Sequence, residues 1–404
     1  MEKAIMKIKN NEILSPSILA IGLFFMVTII SPKINILLPV TGVAILFDYL
    51  ILKENIVIRK QHILICIFMI IVLLSMIIAS EKYSLVAIPP YIIFSLMFLL
   101  FTTKEYTRKQ INFISRCIEI GGIITSVLII FFGKTYYGEE LRYTIILNGE
   151  RQDPNFTAVL LCLPMILFLF RVIYGKTLKY KLFNGIGVMI TIFTIVLTGS
   201  RTGMICISAI VLISIGIKVV LNENKIKFNS KEVVGVILIA IIIGGVGLNL
   251  LPDQITDRIF NYSNTYKYDN SVIIAGSPRL NIWINAMDLV FQHPIIGYGL
   301  GMSDYYMPLH KGLITALHNT YIDVWFQFGI FGLVSFIVII ASFIYDFIKT
   351  KSYYLLNMVV LIMIAAGFLD LFYGREVWVI LSFMMIALNY VCLNKESIHK
   401  VLGE

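Results

Sequence analysis

Residues 63–79 read ILICIFMIIVLLSMIIA, a run of apolar side chains in which Ser75 is the single hydroxyl. A helix needs about 20 predominantly apolar residues to cross a lipid bilayer. The run is continuous rather than alternating, which excludes a strand of a transmembrane β-barrel. This segment therefore predicts a transmembrane helix, and the same pattern recurs along most of the chain.

The composition supports a membrane protein. The chain has 404 residues, of which 58% are hydrophobic and 14% charged, and its mean hydropathy is +0.88. A soluble domain carries roughly a quarter charged residues. These values exclude a cytosolic enzyme, a secreted domain, a nucleic-acid binder and a disordered chain. The net charge of +9 then indicates cytoplasmic lysines rather than affinity for nucleic acid.

We predict an all-α polytopic membrane protein with about twelve transmembrane helices. The apolar runs are Ile13–Ile30, Ile34–Leu52, Ile63–Ala79, Val86–Phe101, Ile118–Phe132, Phe156–Val172, Phe183–Leu197, Met204–Val220, Val233–Leu251, Tyr321–Phe347, Tyr353–Phe368 and Val377–Leu393.

The distribution of lysine and arginine sets the orientation. With the N-terminus in the cytoplasm, every cytoplasmic segment carries at least two basic residues, and these hold most of the 33 in the chain. Cytoplasmic loops carry such an excess. We therefore expect both termini inside and a large external loop between helices 9 and 10. The predicted regions are 1–251 with helices 1–9, 252–319 with that loop, and 320–404 with helices 10–12.

Arginines are unusually frequent on the predicted external side, where topology disfavours basic residues. Arginine presents a planar fork that binds phosphate in a bidentate manner. Two interpretations stay open for each residue: a contact with phosphate, or an ion pair with a nearby acidic residue. The external arginines are Arg142, Arg151, Arg201, Arg258, Arg279 and Arg375.

The large loop contains an ordered stretch. Ser277 and Pro278 form a helix start, and apolar residues recur near helical spacing after Leu280. This pattern predicts an amphipathic helix that lies on the membrane surface or caps the bundle. The glycines of Gly297–Gly301 (GYGLG) have no strand–helix unit around them, so we expect tight turns there rather than a nucleotide site.

Four stretches carry a resemblance to a known family. The sequence resembles the bacterial O-antigen ligase and polysaccharide polymerase family (Wzy/WaaL type), and the resemblance covers nearly the whole chain. The stretches are Arg151–Ala158 (RQDPNFTA), Gly199–Gly203 (GSRTG), Arg279–Trp283 (RLNIW) with Gly297–Gly301 behind it, and His318–Tyr321 (HNTY).

The resemblance implies a fold like that of the glycosyltransferase C superfamily. It also implies a reaction on the outer face of the cytoplasmic (inner) membrane, in which a glycan moves from undecaprenyl diphosphate to a sugar hydroxyl. The expected partners are the lipid-linked oligosaccharide, an acceptor glycan, the bilayer and other polysaccharide assembly proteins of capsule or exopolysaccharide biosynthesis. A polymerase extends lipid-linked repeat units, whereas an O-antigen ligase uses a lipid A core acceptor.

Two residue types fit this chemistry. Charge-assisted contacts from arginine to the diphosphate can replace a metal, so we predict neither metal nor cofactor. Arg201, in a short link between spans, and Arg279, at the start of the amphipathic helix, are the favoured candidates, with Arg151 and Arg142 behind them. Interfacial placement or an ion pair, for Arg279 with Asp288 or Asp304, is the alternative.

His318 is the predicted catalytic residue, because it stands where the large loop re-enters the membrane. A histidine near neutral pH can take a proton from an alcohol, and a protonated histidine can instead bind phosphate. Both roles stay open. Asp48 and Asp370 lie within apolar runs, and an ion pair with Arg375 or a helix neighbour accounts for them equally well. A transporter or lipid flippase is the rival class, although no internal repeat is visible.

Overall fold

The computed structural model of the chain describes residues 14–31, 37–53, 55–79, 83–137, 140–147, 150–221, 278–312 and 316–395, and helices dominate these residues. The α-helices are α1 (Pro16–Ile30), α2 (Leu37–Phe47), α3 (Lys60–Ile78), α4 (Tyr83–Thr102), α5 (Arg108–Phe132), α6 (Pro154–Tyr174), α7 (Leu178–Leu197), α8 (Arg201–Leu221), α9 (Pro278–Val290), α10 (Ser303–Lys311), α11 (Thr320–Lys349), α12 (Leu356–Ala366) and α13 (Arg375–Asn394).

Short elements complete the described part of the chain. A π-helical segment, Asp48–Leu52, extends α2, and 3₁₀ turns precede α12 and α13. Before α6, the described residues form two antiparallel pairs of short strands. The pairs are β1 (Lys134–Tyr137) with β2 (Glu140–Tyr143), and β3 (Ile146–Leu147) with β4 (Glu150–Arg151).

The helix lengths confirm an all-α membrane protein. Six helices of the described residues are long and apolar enough to cross a membrane, namely α3, α5, α6, α7, α11 and α13, and five shorter apolar helices accompany them. A helix occupies each predicted apolar run except Val233–Leu251, which lies outside the described residues together with 252–277 of the large loop. The total of twelve spans and the three-region division therefore stay predictions.

The core lies along two central helices. Nearly every residue of α13 from Arg375 to Val391 is buried, and most of α6 is buried as well. Around them, α1 packs against α5, α3 against α11, α4 against α13, α7 against α6 and α8 against α12. The start of α6 shows how local sequence fixes these helices: Pro154 occupies the first turn, and Asp153 accepts a hydrogen bond from the Asn155 N–H at 2.6 Å.

The bundle has two polar ends, which we name the loop end and the opposite end. The loop end comprises residues 30–31, 132–137, 140–147, 150–154, 197–201, 291–312, 316–320 and 366–376. The opposite end comprises residues 14–17, 48–53, 55–60, 102–108, 171–178, 349–355 and 394–395. Contacts between chain-distant residues hold each end together: the side chain of Arg59 donates to Asn389 at 2.7 Å at the opposite end, and Gln152 donates to the Ile30 carbonyl at the loop end.

Buried ion pairs stabilise the opposite end. Lys104 is fully buried against Asp48, which also accepts a hydrogen bond from Ser15 at 2.7 Å. Asp48 thus pairs with a residue of a neighbouring helix end rather than with Arg375. Arg171 is likewise buried and bonds Glu119, and its guanidinium also donates to Ser115 at 2.7 Å. Partners of this kind are what a buried charge requires.

Helix α11 is interrupted at Gly329, where the backbone has φ 64° and ψ −167°. The glycine-rich stretch found in the sequence packs into this break. The N–H groups of Tyr298 and Gly299 donate to the carbonyls of Phe326 and Gln327, both at 2.8 Å, and so satisfy the end of the first half of α11. Three glycines of this stretch have positive φ, which confirms tight turns there; they are Gly297, Gly299 and Gly301.

Replacing Gly329 with alanine is expected to destabilise the protein by about 1–3 kcal/mol. A Cβ atom at this position would lie 2.0 Å from the backbone oxygen of Ile295, and the positive φ disfavours any side chain. Thermal unfolding in detergent measures the effect. Gly42→Ala is the matched control, since nothing lies within 4 Å of its Cβ position in α2. Equal unfolding midpoints for the two variants would contradict the role of Gly329.

Candidate functional site

Helix α11, which corresponds to the predicted tenth span, begins after a short polar segment at the loop end. Asn319 precedes α11, and its side-chain oxygen accepts hydrogen bonds from the N–H groups of Tyr321 and Ile322 at 3.1 and 3.2 Å. Its amide group donates to the carbonyl of Gly367 at 3.2 Å. This cap fixes the position of the preceding residue, His318, at the loop end.

Asp370 holds His318 in place. The carboxylate accepts the backbone N–H of His318 at 2.8 Å on one oxygen and that of Asn319 at 3.0 Å on the other. The imidazole Nδ1 lies 3.8 Å from the first oxygen, which is beyond hydrogen-bond distance. His318 has φ 52°, a left-handed conformation that is uncommon outside glycine. The contacts with Asp370 thus fix an unusual backbone at the predicted catalytic residue.

The His318 side chain is 29% exposed and that of Asp370 is 13% exposed. Burial raises the pKa of the Asp370 carboxyl above its ordinary value, while the hydrogen bond from the His318 backbone, the His318 charge and the Asn319 N–H act in the opposite direction. Within the described residues, His318 Nδ1 is buried and makes no hydrogen bond. The buried Nδ1 of the imidazole therefore faces Asp370, while the rest of the ring is partly exposed.

A second carboxylate, that of Asp323, lies one turn further along the chain than His318. Asp323 is buried in the first turn of α11 and accepts a hydrogen bond from the Gln327 amide at 2.6 Å. Gln327 in turn accepts the Gly301 N–H at 2.8 Å. The glycine-rich stretch is thereby tied to the helix that carries the candidate site.

Helix α9 confirms the predicted amphipathic helix and packs beside His318. Its buried side chains face α10, the glycine-rich stretch and the first half of α11 in a small separate core. Trp283 donates its indole N–H to the carbonyl of Leu317, next to His318, at 2.9 Å. Arg279 is half-buried one helical turn before Trp283. The helix that carries Arg279 therefore packs against the segment that carries His318. Asp288 instead pairs with Lys311 at 3.0 Å.

The remaining predicted arginines gather around strands β1–β4 and the turn before α8. Arg142 is buried, and its guanidinium donates to the Thr198 carbonyl at 3.1 Å and to the Asn155 side chain at 3.0 Å. Arg142 thus supports the turn that presents Arg201, the exposed first residue of α8. Arg151 is exposed in β4, opposite Ile146.

The connection between α12 and α13 contacts both the segment around His318 and the segment that precedes α6. Asp370 lies within this connection, and Thr320 bonds the carbonyl of Leu369 and the N–H of Leu371 on either side of Asp370. Arg375 follows directly and donates to Gln152, next to Arg151, at 3.5 Å. Four of the five predicted site residues therefore lie at the loop end, and Arg279 lies on α9, which packs against that end. In the ranges that the structure describes, no group of three His, Cys, Asp or Glu residues is arranged to hold a metal ion.

Comparison with known proteins supports the family resemblance over part of the chain. The sequence model described as O-antigen ligase matches residues 186–337. Over these residues the chain is similar to the O-antigen ligase family, which supports the O-antigen ligase/polymerase resemblance. An uncharacterised protein of Haemophilus influenzae is 25% identical over 355 residues, which cover 83% of this chain and 85% of the relative. The resemblance seen in the sequence is confirmed, and the family supports a glycosyltransferase-like ligase or polymerase in a multi-pass membrane protein.

The O-antigen ligase region contains three predicted site residues, Arg201, Arg279 and His318, whereas Arg142 and Arg151 precede it. Asp370 lies after it and was not predicted as a site residue. An ion pair of Asp370 with Arg375 is wrong, because the described contacts of Asp370 are with His318 and Asn319. The available signal was a carboxylate within an apolar run, which marks a functional candidate in a membrane protein.

Proposed function

We propose that this chain is a glycosyltransferase that polymerises polysaccharide repeat units on the outer face of the cytoplasmic membrane. Its donor is a glycan on undecaprenyl diphosphate, and its acceptor is a sugar hydroxyl. The observation that carries the proposal is the His318–Asp370 pair at a partly open corner of the loop end. The first and last described residues lie at the opposite end, which supports a site on the side away from two cytoplasmic termini.

In the proposed reaction, His318 takes the proton from the acceptor hydroxyl, and the acceptor oxygen forms a bond to C1 of the donor sugar. The bond between C1 and the diphosphate oxygen breaks, and the lipid diphosphate leaves with the electron pair. Asp370 stabilises the imidazolium that forms, since its carboxylate oxygen lies 3.8 Å from Nδ1. The role of Asp370 is to position and support His318 rather than to touch the substrate.

The leaving diphosphate gains negative charge, which Arg201 and Arg279 are proposed to stabilise. Arg201 is exposed at the start of α8, where backbone N–H groups also favour an anion. Arg279 stands in the first turn of α9, one turn from the residue that bonds the His318 segment. Arg142 and Arg151 are proposed to assist, Arg142 mainly by holding the turn before Arg201.

Lysine at position 201 or 279 is expected to reduce turnover by about 100- to 1,000-fold. Lysine keeps the charge but loses the planar fork that binds phosphate through two parallel hydrogen bonds. The measurement is transfer from a lipid-linked donor, normalised to the abundance of protein in the membrane. Near-full activity of both variants would mean that these arginines only set topology.

Chelation with EDTA is expected to leave transfer unchanged, because guanidinium groups supply the positive charge at the diphosphate. The assay compares initial rates before and after chelation, with a metal-dependent transferase as the positive control. A loss of activity that Mg²⁺ or Mn²⁺ restores would contradict the proposal that arginines, rather than a metal ion, bind the diphosphate.

Deletion of the gene tests the function itself. If the chain polymerises, cells without it will display single repeat units on their surface instead of long glycans. Accumulation of long lipid-linked polymer without transfer would instead show a ligase. Accumulation of lipid-linked repeats on the cytoplasmic face would show a flippase and overturn the proposal. Complementation with His318→Ala separates the last case from the first, because this variant should still restore the function of a flippase but should fail to restore polymerisation.

A further inference from the structure

The first two residues of α13 form a buried pair of opposite charges that the proposed reaction does not use. Arg375 and Glu376 are 7% and 6% exposed at the loop end. Their closest charged atoms, Nε of Arg375 and Oε1 of Glu376, lie 3.8 Å apart, beyond hydrogen-bond distance. The pair therefore neutralises its charges without satisfying its hydrogen-bonding groups.

Both side chains keep buried polar atoms without a partner. Within the described residues, Arg375 Nε and Glu376 Oε2 make no hydrogen bond, and the guanidinium donates only to Gln152, at 3.5 Å. Burial of such groups without partners is costly. The buried Arg171 at the opposite end provides the contrast, because its guanidinium bonds Glu119, Ser115, Asn112 and Tyr180. One donor and one acceptor thus remain side by side at the loop end.

The arrangement selects a particular ligand chemistry. A phosphate or carboxylate needs an excess of positive charge, which Glu376 removes from Arg375. A hydroxyl group both donates and accepts, and it matches an unpaired N–H next to an unpaired carboxylate oxygen. We propose that Arg375 and Glu376, with Gln152, form a subsite for the hydroxyl groups of a neutral sugar ring.

Gly374 gives this subsite its shape. A Cβ atom on Gly374 would lie 2.1 Å from Glu376 Oε2 and 3.4 Å from Cε1 of Phe156. The carboxylate thus lies over the glycine, beside the aromatic ring at the start of α6. Because only the turn Leu371–Tyr373 separates Gly374 from Asp370, the subsite lies near the His318–Asp370 pair. The sugar belongs to the donor or to the acceptor glycan, an assignment that rests on the proposed function.

Binding measurements on the detergent-solubilised full chain test the subsite without requiring transfer. The two probes are the glycan released from its lipid carrier by mild acid and inorganic diphosphate. Glu376→Ala is expected to weaken glycan binding about ten- to 100-fold, the loss of a hydrogen bond to a charged group, and to leave diphosphate binding unchanged. Glu376→Gln should stay within about threefold of the unmodified protein, since the amide oxygen still accepts a hydrogen bond.

Two further variants guard against misinterpretation. Gly374→Ala displaces the carboxylate oxygen while both charges remain, and it should weaken glycan binding several-fold. Arg116→Gln breaks another Arg–Glu pair, 2.8 Å long and at the far side of the bundle, and should leave glycan binding unchanged. Unchanged glycan binding in Glu376→Ala and Gly374→Ala, or tighter diphosphate binding in Glu376→Ala, would overturn the proposal.

Transfer assays then identify the source of the sugar. In Glu376→Ala, a raised KM for the lipid-linked donor assigns the subsite to the donor glycan, and a raised KM for the acceptor assigns it to the acceptor. Loss of released-glycan binding in a chain that shows no transfer at all would support the subsite and refute the proposed reaction. An unchanged KM for both substrates in an active enzyme would refute the subsite alone.

Discussion

Replacing His318 with alanine is expected to reduce glycan transfer by about 100- to 10,000-fold, the usual effect of removing a general base. The donor brings its own leaving group, so the remaining requirement is a group that takes the proton of the acceptor hydroxyl. Binding of the lipid-linked donor should stay largely intact. The measurement therefore combines an initial rate of transfer with a separate binding assay for the donor.

Two variants make this result specific. His318→Asn removes the imidazole but keeps a residue that tolerates the left-handed φ of 52°, so it separates lost chemistry from a strained backbone. His310→Ala is the matched control at the loop end, where His310 stacks on Tyr306 with ring centroids 5.5 Å apart, and its effect should be mild. Loss of donor binding together with turnover would make His318 a phosphate ligand, and full activity would refute its catalytic role.

The sequence predicted the helices well, because continuous apolar runs leave few alternatives to a spanning helix. The run after Pro154 became the buried helix α6, and the spacing after Leu280 became the amphipathic helix α9. The sequence did not reveal the interruption of α11, since Gly329 sits in an apolar run like any other small residue. The break depends on the backbone of residues 294–299, which contacts it from a distant part of the chain.

The sequence proposes residues for the candidate site but does not indicate their pairings. The predicted topology puts His318 and the arginines on one side of the membrane, and their function there stays a prediction. The partner of His318 lies 52 residues further along the chain, so no local pattern indicates Asp370. Arg142 stays a predicted phosphate ligand, and nothing in the sequence indicates that its guanidinium bonds Thr198 and Asn155. A sequence shows which residues carry a positive charge, whereas the hydrogen-bond partners of each guanidinium depend on tertiary contacts.

Asp370→Asn is expected to lower kcat by about 100- to 10,000-fold, as removal of the charge behind a catalytic histidine does elsewhere. The two carboxylate oxygens each accept one backbone N–H, from His318 and Asn319. Asparagine offers a single acceptor oxygen, so one N–H loses its partner and the histidine loses the negative charge 3.8 Å from Nδ1. The measurement is saturation kinetics, with protein abundance determined in the same membranes.

The distribution of the effect between kcat and KM decides what Asp370 does. A positioning residue acts on the proton transfer, so kcat should fall while the KM for the donor stays within a few-fold. Asp288→Asn is the control, because Asp288 is 57% exposed in an ion pair with Lys311, and such surface pairs contribute little. A fall in protein abundance that accounts for the whole loss would leave Asp370 a purely structural role. The double variant tests whether the two residues act together. The losses of activity in His318→Asn and Asp370→Asn should not be additive, because Asp370 acts only through the imidazole. Independent, multiplicative losses in the double variant would refute the pair as a catalytic unit.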